Sequence, residues 1–120
     1  MSISAEKMAQ YRAGAAQRAQ RQQQARQVRY QQGWAVARRA AEILKNWGAS
    51  QVVLFGSLLD VEKVHARSDI DLAVWDLPAA DYYSALAELL DIDPDFAIDL
   101  VEIQNAKPHI LKAIESGVAL

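Results

Sequence analysis

The sequence of 120 residues contains no cysteine, which excludes disulfide frameworks and thiolate metal sites. No apolar run approaches the ~20 residues that are needed to cross a bilayer. The first residues are rich in Gln, Arg and Ala and contain no hydrophobic signal core. The length predicts one domain, and because 52% of the residues are hydrophobic we expect a packed fold. The three absences above favour a location in the cytoplasm.

Charge is distributed unevenly along the chain, although the net charge is only −2. Residues 1–47 hold nine Lys or Arg against two Glu, which gives +7. Residues 48–120 hold four Lys or Arg against thirteen Asp or Glu, which gives −9. A basic segment therefore precedes an acidic body.

The basic segment has the composition of a helix, since residues 4–32 lack proline and are rich in Ala, Gln and Arg. Its apolar stripe is short and is interrupted by polar residues: Met8, Tyr11, Ala15 and Ala19 are followed by Gln22, Arg26 and Arg29. We predict a basic helical extension over residues 1–33, either solvated or docked on a partner. Direct nucleic-acid binding is the less favoured alternative, because no clustered aromatic residues accompany the Arg residues.

The remaining residues, 34–120, predict an α/β (α+β) domain. Apolar residues at helical spacing from Trp34 to Trp47 indicate a helix packed on a sheet, with the Trp side chains in the core. Apolar runs predict strands at Gln51–Phe55, Asp69–Trp75 and Phe96–Ile103.

A helix over residues 79–90 is predicted to bury Tyr83, Leu86, Ala87 and Leu90. Asn105 and Gly117 are predicted to cap a last helix, and Val118–Leu120 to add an edge strand or meet a partner.

A turn with the chemistry of phosphate binding follows the first predicted strand. Gly56 lets the backbone come close to a ligand, and Ser57 offers a hydroxyl and an amide N–H. In the loop that follows, Lys63 and Arg67 are candidates for contacts with a triphosphate, and Ser68 for orienting the chain into the second strand.

Three carboxylates follow this turn on two predicted strands. Asp69 and Asp71 are two residues apart and share a face of the second strand. Two adjacent carboxylates repel one another unless a cation lies between them. Asp99 is a lone acid in the third apolar run, where it is costly to bury without a partner. Together the three acids predict a metal site, although acids in solvent at the start of a strand remain the alternative.

Other enzyme classes are poorly supported. The sequence has no G-x-x-x-x-G-K-[ST], G-x-G-x-x-G, HExxH or CxxC motif. Ser57 lacks the G-x-S-x-G elbow of a hydrolase nucleophile.

The order of these motifs resembles the DNA polymerase β-type nucleotidyltransferase superfamily: GS at 56–57, SDIDLAV at 68–74, then a strand with one Asp at 99. The small size is most similar to the minimal (MNT) members, the antitoxins paired with HEPN-domain ribonuclease toxins. The resemblance covers residues 34–120. It implies a polymerase-β-like core with a small mixed sheet and helices packed on it, here preceded by the long helical arm.

The resemblance also implies a function, namely transfer of AMP from ATP to a tyrosine hydroxyl of a partner HEPN toxin, which neutralises the toxin in a hetero-oligomer. The catalytic and metal-binding residues would be Asp69, Asp71 and Asp99, with two Mg²⁺ ions. The nucleotide-binding residues would be Gly56, Ser57, Arg67 and Ser68. Two alternatives stay open: a non-catalytic antitoxin that blocks its partner by occlusion, and a stand-alone nucleotidyltransferase acting on a small molecule or RNA.

Overall fold

The computed structural model describes residues 4–120, which form a mixed α/β structure. Its helices are α1 (Ala5–Asn46), α2 (Tyr82–Leu90) and α3 (Pro108–Glu115). Its strands are β1 (Gln51–Phe55), β2 (Ile70–Trp75), β3 (Ile98–Glu102) and β4 (Val118–Ala119). Short 3₁₀ turns lie at Ser57–Leu59, Val61–Lys63, Ala79–Asp81 and Ile103–Asn105.

The four strands form one mixed sheet in the order β3-β2-β1-β4. β1 pairs antiparallel with both β2 and β4, whereas β2 and β3 are parallel. The strand at the end of the chain confirms the predicted edge strand, with Val53 opposite Ala119. The mixed sheet and the long N-terminal helix agree with the predicted fold class.

The two faces of the sheet are covered unequally. On one face, side chains from all three longer strands form the main core with α1 and α2. On the other face, a smaller cluster contains only four buried residues: Val53, Phe55, Ala73 and Ile114. Residues at alternate positions of β2 belong to opposite faces, so Ile70 and Leu72 enter the main core while Asp71 lies on the thinly covered face. That face can therefore carry polar groups at its edge.

α1 is continuous over 42 residues, which corresponds to about 63 Å at 1.5 Å per residue. The hydroxyl of Ser4 accepts a hydrogen bond from the backbone N–H of Lys7 and caps the helix. The helix passes Gly33 without interruption, and this glycine is buried. A Cβ added there would lie 2.8 Å from Leu58 Cδ1, so the glycine allows α1 to pack closely on the turn after β1.

The buried face of α2 differs from the prediction. Leu86 packs against the main core as predicted, but Tyr83 is 80% exposed and Leu90 63% exposed. Ala87 is exposed as well, and the buried residues are instead Ala85 and Leu89. The apolar run contains two possible buried stripes, and the observed stripe, with Ala85 and Leu89, is shifted by one residue from the predicted one. Because α2 packs against α1, the stripe with the small Ala85 allows the closer approach.

The last helix begins without the predicted Asn105 cap. Lys107 occupies the N-cap position with no side-chain hydrogen bond, and Pro108 follows in the first turn. Asn105 lies instead in the preceding 3₁₀ turn. Pro108 already has the φ angle that a first turn requires, so a side-chain cap adds little here.

Within residues 4–120, we find no helix that is both long enough and apolar enough to span a membrane.

Truncation of α1 tests where the folded body begins. Between residues 4 and 21 the side chains are almost all exposed, whereas Arg26, Arg29 and Tyr30 contact the body. We expect a chain that starts at residue 22 to keep its free energy of unfolding within about 0.5 kcal/mol. A chain that starts at residue 34, the predicted domain boundary, should lose about 2 kcal/mol, because a cation–π contact and hydrogen bonds disappear. Urea denaturation measures both. Equal stability of the two truncations would place the boundary at residue 34.

Candidate functional site

The turn after β1 requires glycine. Gly56 has φ +85° and ψ −155°, a conformation that L side chains rarely adopt. A Cβ at this position would overlap the carboxylate of Asp71, whose Cγ would lie only 3.2 Å away. Ser57 then opens a 3₁₀ turn, so its backbone N–H is not used within that turn. The backbone thus passes directly beside a carboxylate and leaves a donor at the start of the turn.

The sheet places two of the predicted acids side by side. Asp71 pairs in register with Asp99 across the parallel β2–β3 ladder and with Phe55 across the antiparallel ladder. Register partners on adjacent strands lie about 5 Å apart and point to the same face. Asp71 is half-buried, while Asp99 is exposed. β2 therefore holds Asp71 between the glycine turn on one side and Asp99 on the other.

The electrostatics of the site are those of a cluster of like charges. Burial is the largest cause that raises the pKa of Asp71, followed by the neighbouring Asp99 and Asp69 carboxylates, and together they raise it from 3.8 to about 6. All three causes oppose ionisation. A cation placed at this point would reverse that balance and hold the carboxylates in their charged form.

The donor set suits a hard divalent cation such as Mg²⁺, which prefers carboxylate oxygens. The backbone brings Asp71 and Asp99 together, whereas Asp69 lies just before β2 and is exposed. Between residues 4 and 120, no group of three His, Cys, Asp or Glu side chains is arranged so that it could hold a metal ion. The chemistry of the three acids fits a metal, but only the Asp71–Asp99 pair is held in place by the sheet.

The loop before β2 is ordered by its own hydrogen bonds. Ser68 is only 4% exposed, and its hydroxyl accepts a hydrogen bond of 2.8 Å from the backbone N–H of His65. The Nδ1 of His65 in turn accepts from the backbone N–H of Arg67 at 3.2 Å. The side chains of Lys63 and Arg67 are exposed. Ser68 thus orients the chain before Asp69, while the nucleotide-binding roles of Ser68 and Arg67 stay predictions.

Arg29 and Phe96 support the segments that carry the acids, but the sequence analysis did not predict this role for either residue. The guanidinium of Arg29 lies 3.7 Å from the centre of the Phe96 ring, and its Nη2 donates to the carbonyl of Ser68 at 3.2 Å. In the sequence, Arg29 interrupts the apolar stripe of the basic helical extension and was therefore not expected to contact the core. A signal was present, however, because Arg29 lies four residues before the buried Gly33 and hence on the same face of α1.

α1 also supports the glycine turn directly. The indole Nε1 of Trp34 donates to the carbonyl of Leu58 at 3.1 Å. Trp34 packs on the main core and contacts the ring of Tyr30 edge-on at 6.1 Å, in agreement with its predicted core role. The long helix therefore fixes the 3₁₀ turn after Gly56.

Tyr82, at the start of α2, is a further polar group near Asp99. Burial raises the pKa of Tyr82, and Glu102, Tyr83 and Asp99 raise it as well. Its phenol therefore stays protonated at neutral pH and offers a hydrogen-bond donor.

A groove of about 850 Å³ lies between α1 and residues 62–66. Arg29 lines this groove, but Asp71 and Asp99 do not. The carboxylate pair consequently lies outside the groove, near the edge of the thinly covered face of the sheet.

The family model described as polymerase beta nucleotidyltransferase matches residues 39–120, which is more than half of the chain. The chain belongs to the polymerase β nucleotidyltransferase family. The match includes the turn at Gly56 and the two strands that carry Asp71 and Asp99. No curated protein matches the chain significantly.

Solved structures of toxin–antitoxin complexes share the fold. A toxin–antitoxin with AMP-PNP is 24% identical, with a TM-score of 0.52, over 65% of this chain and 66% of that chain. An MntA–HepT structure is 20% identical, with a TM-score of 0.51, over 72% and 69%. The tri-AMPylated Shewanella oneidensis HEPN toxin in complex with its MNT antitoxin is 20% identical, with a TM-score of 0.51, over 72% and 70%. The alignments span about two thirds of the solved chains, and at these identities they show the fold alone.

The raised pKa of Asp71 predicts a dependence of stability on pH. The folded pKa of about 6 lies above the unfolded 3.8, so the folded state binds more protons in this window and stability falls as pH rises through it. Because Asp71 is half-exposed, we discount the effect for solvent screening to about 1–2 kcal/mol. At pH 8 in EDTA, Asp71→Asn should therefore be more stable than wild type by this amount, and the difference should vanish below the unfolded pKa of 3.8, at about pH 3.

Urea denaturation at the two pH values measures this effect. Asp95→Asn is the matched control, because Asp95 is an exposed aspartate in the turn before β3. The same stabilisation in the control, or none in Asp71→Asn, would contradict the prediction.

Proposed function

We propose that the chain is a Mg²⁺-dependent nucleotidyltransferase that transfers AMP from ATP to a tyrosine hydroxyl of a HEPN ribonuclease toxin and thereby acts as its antitoxin. The observation that carries this proposal is the position of Asp71, between the glycine turn and Asp99, in a chain of the polymerase β nucleotidyltransferase family. A nucleotide's phosphates fit the turn and a divalent cation fits the acids.

Each residue has a separate role in the proposed reaction. The backbone N–H of Ser57 donates to phosphate oxygens, with Gly56 allowing their close approach. Asp69 and Asp71 would hold Mg²⁺, and Asp99 would hold a second ion and accept the proton of the acceptor hydroxyl. When bound, Mg²⁺ neutralises phosphate charge and lowers the pKa of the acceptor hydroxyl. The acceptor oxygen bonds to the α-phosphorus, the bond from that phosphorus to the bridging oxygen breaks, and pyrophosphate leaves.

The structural neighbours support the choice of nucleotide and partner. One is a toxin–antitoxin with AMP-PNP, and another contains a tri-AMPylated HEPN toxin with an MNT antitoxin. Those are properties of the neighbouring proteins. Carried to this chain, they make ATP the proposed substrate and a HEPN toxin the proposed acceptor, in a hetero-oligomer.

A non-catalytic antitoxin is the second candidate. The observation in its favour is that the three acids are not arranged as a complete set of metal ligands among residues 4–120. In this case the chain would neutralise its partner by covering a surface.

Label transfer separates the candidates. The chain is incubated with its HEPN partner, [α-³²P]ATP and Mg²⁺, while ribonuclease activity is followed in parallel. We expect label on the toxin and a matching loss of ribonuclease activity, with neither in EDTA. Neutralisation without label would support occlusion. Label on a soluble acceptor without any partner would instead support a stand-alone nucleotidyltransferase.

A further inference from the structure

Arg29 connects α1 to the beginnings of both strands that carry the acids. Its Nη2 donates to the backbone carbonyl of Ser68 at 3.2 Å, and Ser68 is the residue directly before Asp69. Its guanidinium also stacks at 3.7 Å on Phe96, which lies two residues before the start of β3. One side chain therefore contacts the approach to β2 and the approach to β3.

These two approaches lie before the start of the β2–β3 ladder. The ladder begins at Ile70 and Ile98, and the preceding backbone is joined by one hydrogen bond of 2.9 Å from Ile70 N–H to the carbonyl of Ala97. Asp69 lies before the first ladder pair and Asp99 directly after it. A small opening at this end would change the distance between the acids while leaving the rest of the sheet paired.

The contacts of Arg29 are not those of an ion pair. The two ion pairs found between residues 4 and 120 join Arg26 to Glu62 and Arg39 to Glu42. The buried Nε of Arg29 has no hydrogen-bond partner among these residues. A planar guanidinium can stack on a ring and donate to a carbonyl at the same time, which a Lys ammonium cannot do with the same geometry. The contacts thus suit a clamp between two segments.

We propose that Arg29 is a positioning residue that fixes the starts of β2 and β3 relative to one another and so sets the separation of the site carboxylates. Arg29 touches neither nucleotide nor acceptor in this proposal. It acts through Ser68 and Phe96. Its catalytic consequence rests on the proposed nucleotidyl transfer, whereas its effect on the two strand starts does not.

The test compares Arg29→Met with wild type, Arg29→Lys and Arg26→Met in the full chain. Met keeps the length of the side chain but removes the donors and the planar group. Arg26→Met is the matched control, because Arg26 lies on the same helix and forms an ion pair with Glu62 that does not involve Asp69, Asp71 or Asp99. Ile43→Val adds a core variant of α1 that destabilises the fold away from the loop.

Hydrogen exchange of single amides, followed by NMR without nucleotide or metal, is the first readout. In Arg29→Met we expect the amides of His65, Ser68 and Ile70 to exchange about 5-fold faster or more, since their hydrogen bonds open with the loop. The amide of Val53 in β1 should be unchanged. Arg29→Lys should be intermediate, and Arg26→Met should match wild type. Unchanged exchange at Ser68 and Ile70 would overturn the proposal.

Transfer kinetics give the second readout. A small displacement of catalytic groups lowers kcat more than it weakens substrate binding, so Arg29→Met should lose about 10-fold in kcat with KM for ATP within about 2-fold. A kcat loss of the same size in Ile43→Val would assign the effect to general stability and overturn the positioning role. If wild type transfers no AMP to any acceptor, the proposed function fails, and the exchange data alone decide whether Arg29 fixes the strands.

Discussion

Asp71→Asn is expected to lower the rate of AMP transfer by about 100-fold or more while the chain stays folded. Asn has the size of Asp but not its charge, and a neutral amide is a weak ligand for Mg²⁺. Asp71 lies between the glycine turn and Asp99, so its substitution affects both parts of the site. Measurement of kcat/KM with the HEPN partner, ATP and Mg²⁺ checks the prediction.

Three further variants are compared with Asp71→Asn. Asp99→Asn should be similarly impaired, and the double variant should be little worse than either single one, because groups that act as a unit are not additive. Asp95→Asn, four residues before Asp99, removes the same charge from an exposed turn and should transfer AMP like wild type. Activity of Asp71→Asn within about 3-fold of wild type, with fold and partner binding intact, would exclude the proposed mechanism.

Gly56→Ala is expected to impair both stability and transfer. The residue at this position has φ +85°, which costs an L residue on the order of 1–2 kcal/mol. The added methyl would also overlap the carboxylate of Asp71 and force one of them to move. We expect about 1–3 kcal/mol lower stability and a loss of transfer of about 100-fold, since positioned groups lose activity steeply when displaced.

Gly14→Ala provides the matched control for this substitution. Gly14 lies in the exposed part of α1, where an added Cβ meets only the end of the flexible Arg18 side chain at 3.3 Å. Ala is a better helix former than Gly, so this variant should gain up to about 1 kcal/mol and keep its activity. Thermal unfolding and label transfer measure both variants. Full activity in Gly56→Ala would show that the turn is not part of the site.

The spans of single strands could be predicted from local sequence patterns. β1 matches its predicted span, Gln51–Phe55, because a continuous apolar run there is bounded by residues that end a strand. The apolar runs predicted strands that carry Asp69, Asp71 and Asp99. β2 begins at Ile70, so Asp69 lies just before it, and the register shows Asp71 and Asp99 opposite one another. Which strands pair, and in which direction, is decided by contacts that local patterns do not contain.

Features set by long-range packing were missed. The apolar residues of α2 are compatible with burial of either Tyr83 or Ala85. Ala85 is the buried one because α2 packs against α1. Arg29 is a basic residue in a basic helix, and its spacing of four residues from Gly33 indicates the face of α1 on which it lies but not its partners. Its partners are Ser68 and Phe96, 39 and 67 residues away in the chain, so its role appears only once both strands are in place.

The parallel pairing of β2 with β3 also bears on when the site can assemble during synthesis. The β1–β2 hairpin closes over residues 56–69, but β3 joins β2 only after the crossover of residues 76–97. Contacts that close longer stretches of chain cost more entropy and form later. On the ribosome, a nascent chain that ends at α2 already contains Gly56 and Asp71 but not the opposing Asp99. We therefore expect the carboxylate pair to assemble only after β3 has been synthesised.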